Sequence, residues 1–314
     1  MQIKKNKKIT VVGSYNTDLT VTAPHLPCNG ESIIGTSLEY NPGGKGSNQA
    51  VAAHKAGADV ALLSKLGKDS MAETGLSLYK SIGLDTSYLS FDEYNNTGTA
   101  IIEVDGENGE NRIIVIPGSN MNITKEDVAS VAEMIKGSDI LLIQLEINAD
   151  AIREAVRIAK ESCTAVVLNP APYSDLAKEL IKDVDFITPN ETEASFITGI
   201  NVDGAKDAPA AADIMLSMGA KNVIITLGSQ GSYYKGEEGE IILPTRKVKR
   251  VDTTGAGDAY NGAFCCALSE GKSVYDAMRF ADAFASISVT RKGAASSMPT
   301  REEAIAFMNS ETEQ

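Results

Sequence analysis

The chain has 314 residues, of which 43% are hydrophobic and 5% aromatic, a composition that suits one large α/β domain or two small ones with an ordinary core. Its 29 basic and 42 acidic residues leave a formal net charge of −13, so most of its surface would repel nucleic acid and anionic membranes. A small anionic ligand is not excluded, because backbone N–H groups at a glycine-rich turn can bind phosphate even in an acidic protein.

Cysteine and histidine are too few and too scattered for several kinds of site. The four cysteines fit neither a disulfide framework nor a zinc-binding spacing, and Cys265 and Cys266 are adjacent in a predicted helix, where they point apart. The sequence has two histidines, His25 and His54, which is too few to favour an imidazole metal site or Ser-His-Asp catalysis. The basic start leads into a short apolar strand rather than a signal sequence, and no apolar run approaches the roughly 20 residues of a membrane span. We expect a cytoplasmic protein.

The first predicted strand, residues 9–13, is followed closely by Asn16 and Asp18. Ligands of open parallel sheets bind at the carboxyl ends of strands, which favours a binding role for both side chains. The alternative is that this Asn and Asp merely form a turn.

A glycine-rich segment, residues 41–48, then opens a predicted helix that stops at Gly57. Three glycines in four positions let the backbone approach a ligand closely, and Lys45 and Asn48 supply hydrogen-bonding groups. The segment matches neither the Walker phosphate-binding loop nor the dinucleotide-binding fingerprint.

Four early strands lack helices between them and predict a small sheet of their own. They cover residues 19–22, 32–40, 97–104 and 112–116, while a strand at 59–66 and a helix at 71–82 intervene. We interpret segments of about 17–41 and 97–117 as a four-stranded lid. An exposed apolar face on such a sheet would favour a homodimer formed through the lid.

From residue 124 onward strands and helices alternate, which predicts a parallel, doubly wound sheet flanked by helices. The predicted strands are 139–145, 164–168, 186–188 and 223–227, and the helices include 150–162, 176–184, 208–218 and 273–289. Glu146, Asn169 and Asn190 each follow a strand, so together they mark a cleft along one edge. No linker is evident, and we treat residues 1–314 as a single domain.

Residues 251–258, Val-Asp-Thr-Thr-Gly-Ala-Gly-Asp, lead directly into another apolar helix. Gly255 and Gly257 leave backbone N–H groups free to point at one spot, and the positive end of the helix dipole lies there too. This arrangement predicts an anion site. Asp258 at its mouth could take a proton from an attacking hydroxyl, which suggests phosphoryl transfer to an alcohol. The alternative is a simple helix-capping acid.

The motifs together resemble the carbohydrate kinases of the ribokinase family over essentially the whole chain. The resemblance is carried by residues 43–50 and 252–258, by Asn190-x-x-Glu193, and by Thr226-Leu227-Gly228-Ser229-x-Gly231, in the family's order. It implies a ribokinase-like α/β fold with a β-sheet lid, and it implies ATP, Mg²⁺ and an activating K⁺ as cofactors.

The resemblance also assigns roles to particular positions. It implies that Asp258 is the general base toward a sugar hydroxyl, with Gly255, Ala256 and Gly257 as the anion hole. The implied sugar-binding positions are Asn16, Thr17, Asp18, Gly44, Lys45, Gly46, Ser47, Asn48 and Glu146. The implied nucleotide-binding positions are Asn190, Thr226, Leu227, Gly228, Ser229, Gln230, Gly231, Gly257, Asp258 and Asp282.

Two cation positions follow from the same resemblance. Glu193 would lie near the magnesium ion and its waters. The implied potassium positions, several of them through backbone carbonyls, are Asp252, Thr254, Ser288, Arg291, Gly293 and Ser297. One departure is Asp282, which stands where the family usually places Asn or His against the adenine.

The resemblance therefore implies an ATP-dependent kinase of D-ribose at O5, in which Asn16 and Asp18 favour a sugar with neighbouring hydroxyls over 2-deoxyribose. Two alternatives remain open: a kinase of 2-deoxyribose, another sugar or a nucleoside, and a non-catalytic sensor of sugar or nucleotide. An intact base beside an intact anion hole argues against the sensor.

Overall fold

A computed structural model describes residues 6–310, so the first five and last four residues of the predicted domain lie outside it. The strands in chain order are β1 (Lys8–Val12), β2 (Asn16–Ala23), β3 (Ser37–Gly43), β4 (Asp59–Gly67), β5 (Leu89–Asp92), β6 (Gly98–Asp105), β7 (Asn111–Ile116), β8 (Ile140–Ile143), β9 (Ala165–Leu168), β10 (Phe186–Ile187), β11 (Val223–Thr226), β12 (Ser232–Gly236) and β13 (Gly239–Leu243). The α-helices are α1 (Lys45–Lys55), α2 (Ser70–Ile82), α3 (Lys125–Ser130), α4 (Ala132–Gly137), α5 (Ala149–Glu161), α6 (Leu176–Leu180), α7 (Glu191–Thr198), α8 (Ala208–Ser217), α9 (Ala256–Ser269), α10 (Val274–Ser288) and α11 (Arg301–Asn309).

A nine-stranded sheet forms the centre of the described chain, in the order β13-β12-β11-β10-β9-β8-β1-β4-β5. Its pairs from β11 to β5 are parallel, whereas β12 and β13 add antiparallel at one edge. Strands buried on both faces need apolar residues at every position, as in the uniformly buried Ile140–Ile143 of β8. Successive residues Val11 and Val12 belong to the two different cores on either side. This confirms the predicted doubly wound α/β fold.

A second, four-stranded sheet is separate from the first and has the order β3-β2-β6-β7. Strand β2 pairs antiparallel with β3 and parallel with β6, and β7 completes a hairpin with β6. Its strands fall within the segments predicted to form the lid, and we call this sheet the lid.

The structure differs from the prediction in two predicted elements and one additional strand. The strand predicted at 32–40 begins at Ser37 and continues through Pro42 to Gly43, because β3 is an edge strand, where a proline without an N–H group is tolerated. Strand β5 was not predicted. The helix predicted at 176–184 is α-helical only to Leu180 and ends as a 3₁₀ turn over Ile181–Asp183.

Side-chain caps fix the residues at which several helices begin. Capping boxes close the first turns of α3, α7 and α11 at Thr124, Asn190 and Thr300. Within residues 6–310 we find no helix of the length and apolar character needed to cross a membrane.

Candidate active site

The two glycine-rich motifs meet where α1 packs against α9. Gly262 permits this contact, since a Cβ there would lie 2.5 Å from the carbonyl oxygen of Gln49. Asp258, in the first turn of α9, is 6% exposed and accepts hydrogen bonds from Asn48 Nδ2 and Gln49 Nε2, both at 2.9 Å. The predicted base is therefore held by residues of the first motif.

The N-terminus of α9 has the features expected of an anion hole. Gly255 is its N-cap residue at φ +75°, a left-handed conformation that favours glycine, and no side chain caps the helix. A Cβ at Gly257 would meet no atom within 4 Å, so the space beside its Cα is open. Backbone N–H groups and the helix dipole can thus stabilise negative charge next to Asp258.

Three carboxylates and one lysine share the acceptor side of the cleft. Burial, with the charges of Glu146 and Asp258, raises the pKa of Asp18 to about 7. Burial likewise raises the pKa of Asp258, although Lys45 and the two amides oppose this rise. Burial alone would lower the pKa of Lys45, but the surrounding carboxylates, led by Asp258, outweigh it and raise this pKa. The lysine therefore stays charged among the acids.

Glu146 fixes the start of the first motif. Its Oε2 accepts hydrogen bonds from the Lys45 backbone N–H at 3.0 Å and from Ser14 Oγ at 2.5 Å. Gly44 lies at φ +84°, and a Cβ there would be 2.6 Å from the Asn16 backbone nitrogen. Gly46 similarly packs on the Gly13 backbone, where a Cβ would be 2.5 Å away. Because these glycines have no side chains, the backbone at the start of α1 can pack directly against the backbone of the segment that follows β1.

Asn16 is oriented by Asn120, a residue that the sequence analysis missed. Asn120 Nδ2 donates to the Tyr15 carbonyl at 2.9 Å and to Asn16 Oδ1 at 2.8 Å, while its Oδ1 accepts from the Tyr15 N–H at 2.9 Å. The Asn16 side chain therefore has its amide nitrogen left for a ligand. Asn120 lies in a short 3₁₀ turn, which has no sequence signal for function.

Two residues implied as sugar ligands turn their side chains elsewhere. The Thr17 side chain lies on the face of β2 opposite to that of Asn16 and Asp18. Its hydroxyl donates a hydrogen bond to the Met71 carbonyl at 2.7 Å. Ser47 Oγ accepts a hydrogen bond from the Tyr79 hydroxyl at 2.7 Å, inside the core.

The implied nucleotide positions cluster beyond β10 and β11. Asn190 and Thr226 form a parallel bridge, so these two strand ends are adjacent. Gly228 and Gly231 have positive φ and shape the turn after β11, and the Leu227 N–H donates to the Gly231 carbonyl at 2.8 Å. Gln230 instead bonds the Ala205 N–H at 3.0 Å and holds a neighbouring loop.

Two acids flank this cluster. Glu193 is 8% exposed, its Oε2 and Oε1 accept from the Asn190 N–H and Nδ2, and burial raises its pKa. Asp282 lies on α10, where burial raises its pKa to about 6 against the opposing effects of Thr245 and Arg246. At this position the acid faces residues 245–246.

The implied potassium positions bring two loops together around Asp252. Its Oδ1 and Oδ2 accept from the Thr254 and Gly293 N–H groups at 2.9 and 2.8 Å, and these bonds lower its pKa against the effect of burial. Ser288 and Ser297 bond local carbonyls, whereas the Arg291 side chain pairs with Glu303. The side chains of Ser288, Arg291 and Ser297 are thus engaged elsewhere, which leaves their backbone groups and the Asp252 carboxylate as the groups that could hold a cation.

A buried amide network supports Asp258 and was also missed. It joins Gln49 to Gln144 and Asn169 at the ends of β8 and β9. Gln49 stands inside the first motif and Asn169 directly follows a predicted strand, so both had a sequence signal; Gln144 had none.

The chain is similar to known proteins of one family. The chain matches the pfkB family of carbohydrate kinases over residues 6–301. It is 41% identical to a ribokinase of Haemophilus influenzae, over 96% of this chain and 98% of that protein. It is 36% identical to a deoxyribokinase of Salmonella typhi, over 94% and 96%. A ribokinase of Arabidopsis thaliana, solved with ribose and ATP, superposes with a TM-score of 0.88 at 31% identity, covering 96% of this chain and 98% of that one.

Proposed function

The chain belongs to the pfkB family of carbohydrate kinases, and we propose that it transfers the terminal phosphoryl group of ATP to O5 of D-ribose, giving D-ribose 5-phosphate and ADP. The observation that carries the proposal is Asp258 buried beside the uncapped N-terminus of α9. The match to a ribokinase and the similarity to a structure solved with ribose and ATP support the choice of substrates.

Asp258 removes the proton from the sugar hydroxyl as that oxygen attacks, a contribution typically worth about 10² to 10⁴ in rate. The N–H groups at Gly255–Gly257 stabilise charge on the equatorial phosphoryl oxygens, which is the main requirement of phosphoryl transfer. Asn16, Asp18, Lys45, Asn48 and Glu146 hold the sugar hydroxyls through directional hydrogen bonds. Closure of the lid on the bound sugar excludes water and suppresses hydrolysis of ATP.

Two cations complete the proposal. Mg²⁺ would neutralise negative charge on the ATP phosphates. The carboxylate of Glu193 is an oxygen group of the kind that would interact with water molecules bound to this ion. K⁺ would be held by carbonyl groups of the loops that Asp252 ties together, with that carboxylate contributing negative charge nearby. Within residues 6–310 no group of three or more His, Cys, Asp or Glu side chains is placed to hold a metal ion.

We also propose a homodimer formed through the lid, in the cytoplasm where ATP is supplied. The register places Tyr40, Leu19, Ile101 and Ile114 in one row across the four strands. Asp18 lies in the next row, so its side chain points to the opposite face, toward the sugar. The outward row is apolar, with Tyr40 52% and Ile114 59% exposed, and suits a second copy of the same surface.

An acceptor panel tests the proposal directly. Purified protein with ATP, Mg²⁺ and K⁺ is given ribose, 2-deoxyribose, fructose or a nucleoside, and ADP formation is followed with Asp258→Asn as the inactive control. We expect ribose to react fastest and the product to carry phosphate at O5. The deoxyribokinase match makes 2-deoxyribose the second candidate. Absence of ribose turnover would remove the ribose assignment, and rapid ATP hydrolysis without sugar would contradict lid closure.

A further inference from the structure

A chain of buried side-chain amides runs from the ends of β8 and β9 to the proposed base. Gln49 is fully buried at its centre, and its Nε2 donates to Asp258 Oδ1 at 2.9 Å and to Asn169 Oδ1 at 3.0 Å. Its Oε1 accepts from Gln144 Nε2 at 2.6 Å. All of the polar atoms of the Gln49 side chain therefore have partners.

The orientation of the Gln49 amide follows from a backbone group distant from the base. Asn169 lies 3.0 Å from the Thr188 carbonyl, which can only accept, so Asn169 must direct its Nδ2 there. The Oδ1 atom of Asn169 then faces Gln49, which must donate a hydrogen bond to it from Nε2. The second hydrogen on the same nitrogen is thereby aimed at Asp258. The network presents a donor to the carboxylate whatever the protonation state of that carboxylate.

The opposite oxygen of Asp258 has a different environment. Oδ2 accepts from Asn48, a predicted sugar-binding residue, and Asn48 Oδ1 is buried without a hydrogen-bond partner among residues 6–310. An unpartnered buried acceptor indicates where a hydroxyl donor of a ligand would bind. The sugar side of the carboxylate is thus the Oδ2 side.

We propose that Gln49 is a positioning residue for the general base, holding Oδ1 of Asp258 so that Oδ2 accepts the proton of the sugar hydroxyl. This inference rests on the proposed kinase function. In the step itself, the O5–H bond breaks, its proton moves to Oδ2, and the O5–P bond forms. The bond from the γ-phosphorus to the bridging oxygen breaks, and ADP leaves with that electron pair.

The donor from Gln49 also keeps the base ionised. Burial and the charge of Glu146 raise the pKa of Asp258, whereas the charge of Lys45 and the hydrogen bonds from Gln49 and Asn48 lower it. Loss of the Gln49 donor should therefore leave more of the enzyme protonated and inactive at neutral pH.

The test is the pH dependence of kcat in Gln49→Met, which keeps the side-chain length and removes both hydrogen-bonding groups. We expect the acidic limb of the profile to move up by about one pH unit or more, since a hydrogen bond to a charged group has that magnitude. At a given pH on that acidic limb kcat should fall about tenfold or more, while KM for ribose changes little.

Asn169→Leu gives a second measurement if Gln49→Met folds poorly, because it removes only the group that orients Gln49. It should move the acidic limb in the same direction by a smaller amount. Asn222→Leu is the matched control: this amide is also buried, bonding the Asp185 carbonyl and the Tyr234 hydroxyl far from the base. It should lower stability and leave the pH profile unchanged.

The outcomes separate this inference from the proposed function. An active wild-type enzyme whose profile is the same in Gln49→Met and Asn169→Leu would overturn the positioning role alone. A higher KM at unchanged kcat would also overturn it, by placing Gln49 in sugar binding. Failure of the wild-type protein to phosphorylate any acceptor would instead overturn the kinase function.

Discussion

Asn48 donates a hydrogen bond from Nδ2 to Oδ2 of Asp258 at 2.9 Å, across 210 residues of sequence. This contact joins the motif expected to bind the sugar to the motif expected to carry the base and the anion hole. Because α1 and α9 are packed without a side chain at Gly262, neither motif can move far without the other. Under the proposed function, sugar binding and base positioning are therefore coupled through one helix pair.

Asp258→Asn should abolish chemistry and preserve binding. The amide keeps the size of the carboxylate but cannot take the proton, so kcat should fall by about 10² to 10⁴. Affinity for ribose and ATP, measured by calorimetry, should stay within a few-fold of wild type. Activity close to that of wild type would show that another group is the base.

Asp252→Ala should weaken activation by K⁺ more than it changes kcat at saturating cation. Its two oxygens bond the Thr254 and Gly293 N–H groups, so the change loosens both loops and removes the local negative charge. The readout is ribose phosphorylation over a K⁺ titration. Asp213→Ala is the control, because it removes an exposed carboxylate paired with Lys235. The same K⁺ dependence in all three proteins would contradict a cation role.

Short local patterns were enough to predict the doubly wound sheet, the strands of the separate small sheet and the helix that begins beside Asp258. The alternation of buried strands and capped helices after residue 124 is such a pattern. The supports of the site were less predictable. Asn120 reaches Asn16 across 104 residues, and Gln144 reaches Gln49 across 95, and these contacts exist only once the chain has folded. Likewise, Thr17 lies within a binding motif but faces away, because strand alternation reverses its direction.

Asp18→Asn should change how the stability of the ligand-free protein depends on pH. The pKa of Asp18 is raised from 3.8 to about 7, chiefly by burial. The folded state thus holds a proton that the unfolded state releases above about pH 4, so this residue's stabilisation is full below that pH and is lost as pH rises through 7. In urea unfolding, wild type should lose a few kcal/mol relative to the variant between pH 4 and 8. Parallel curves would contradict the raised pKa.

Asn120→Ala should impair ribose binding more than catalysis. It frees the Asn16 amide to rotate and leaves the Tyr15 backbone groups without their partner, at a cost of about 1–3 kcal/mol for each buried unsatisfied group. KM for ribose should rise about tenfold while kcat changes less. Asn122→Ala is a matched control in the same turn, since that side chain bonds Asp92 instead. An equal rise in KM for both variants would mean that the turn, rather than Asn16, matters.

Ile114→Arg should convert a lid-mediated dimer into monomers. Ile114 lies in the outward apolar row with Tyr40 and is 59% exposed, so pairing two copies of this row would bury it, and an arginine there would bring two charges together across a twofold axis. Sedimentation velocity should show a dimer for wild type. Ile242→Arg is the control, since Ile242 is 62% exposed on β13, at the far edge of the large sheet, and its variant should remain dimeric. If dissociation also raises KM for ribose, the dimer contact stabilises the lid over the sugar. A wild-type protein that is monomeric at every concentration would refute the dimer, and the apolar row would then require another occupant.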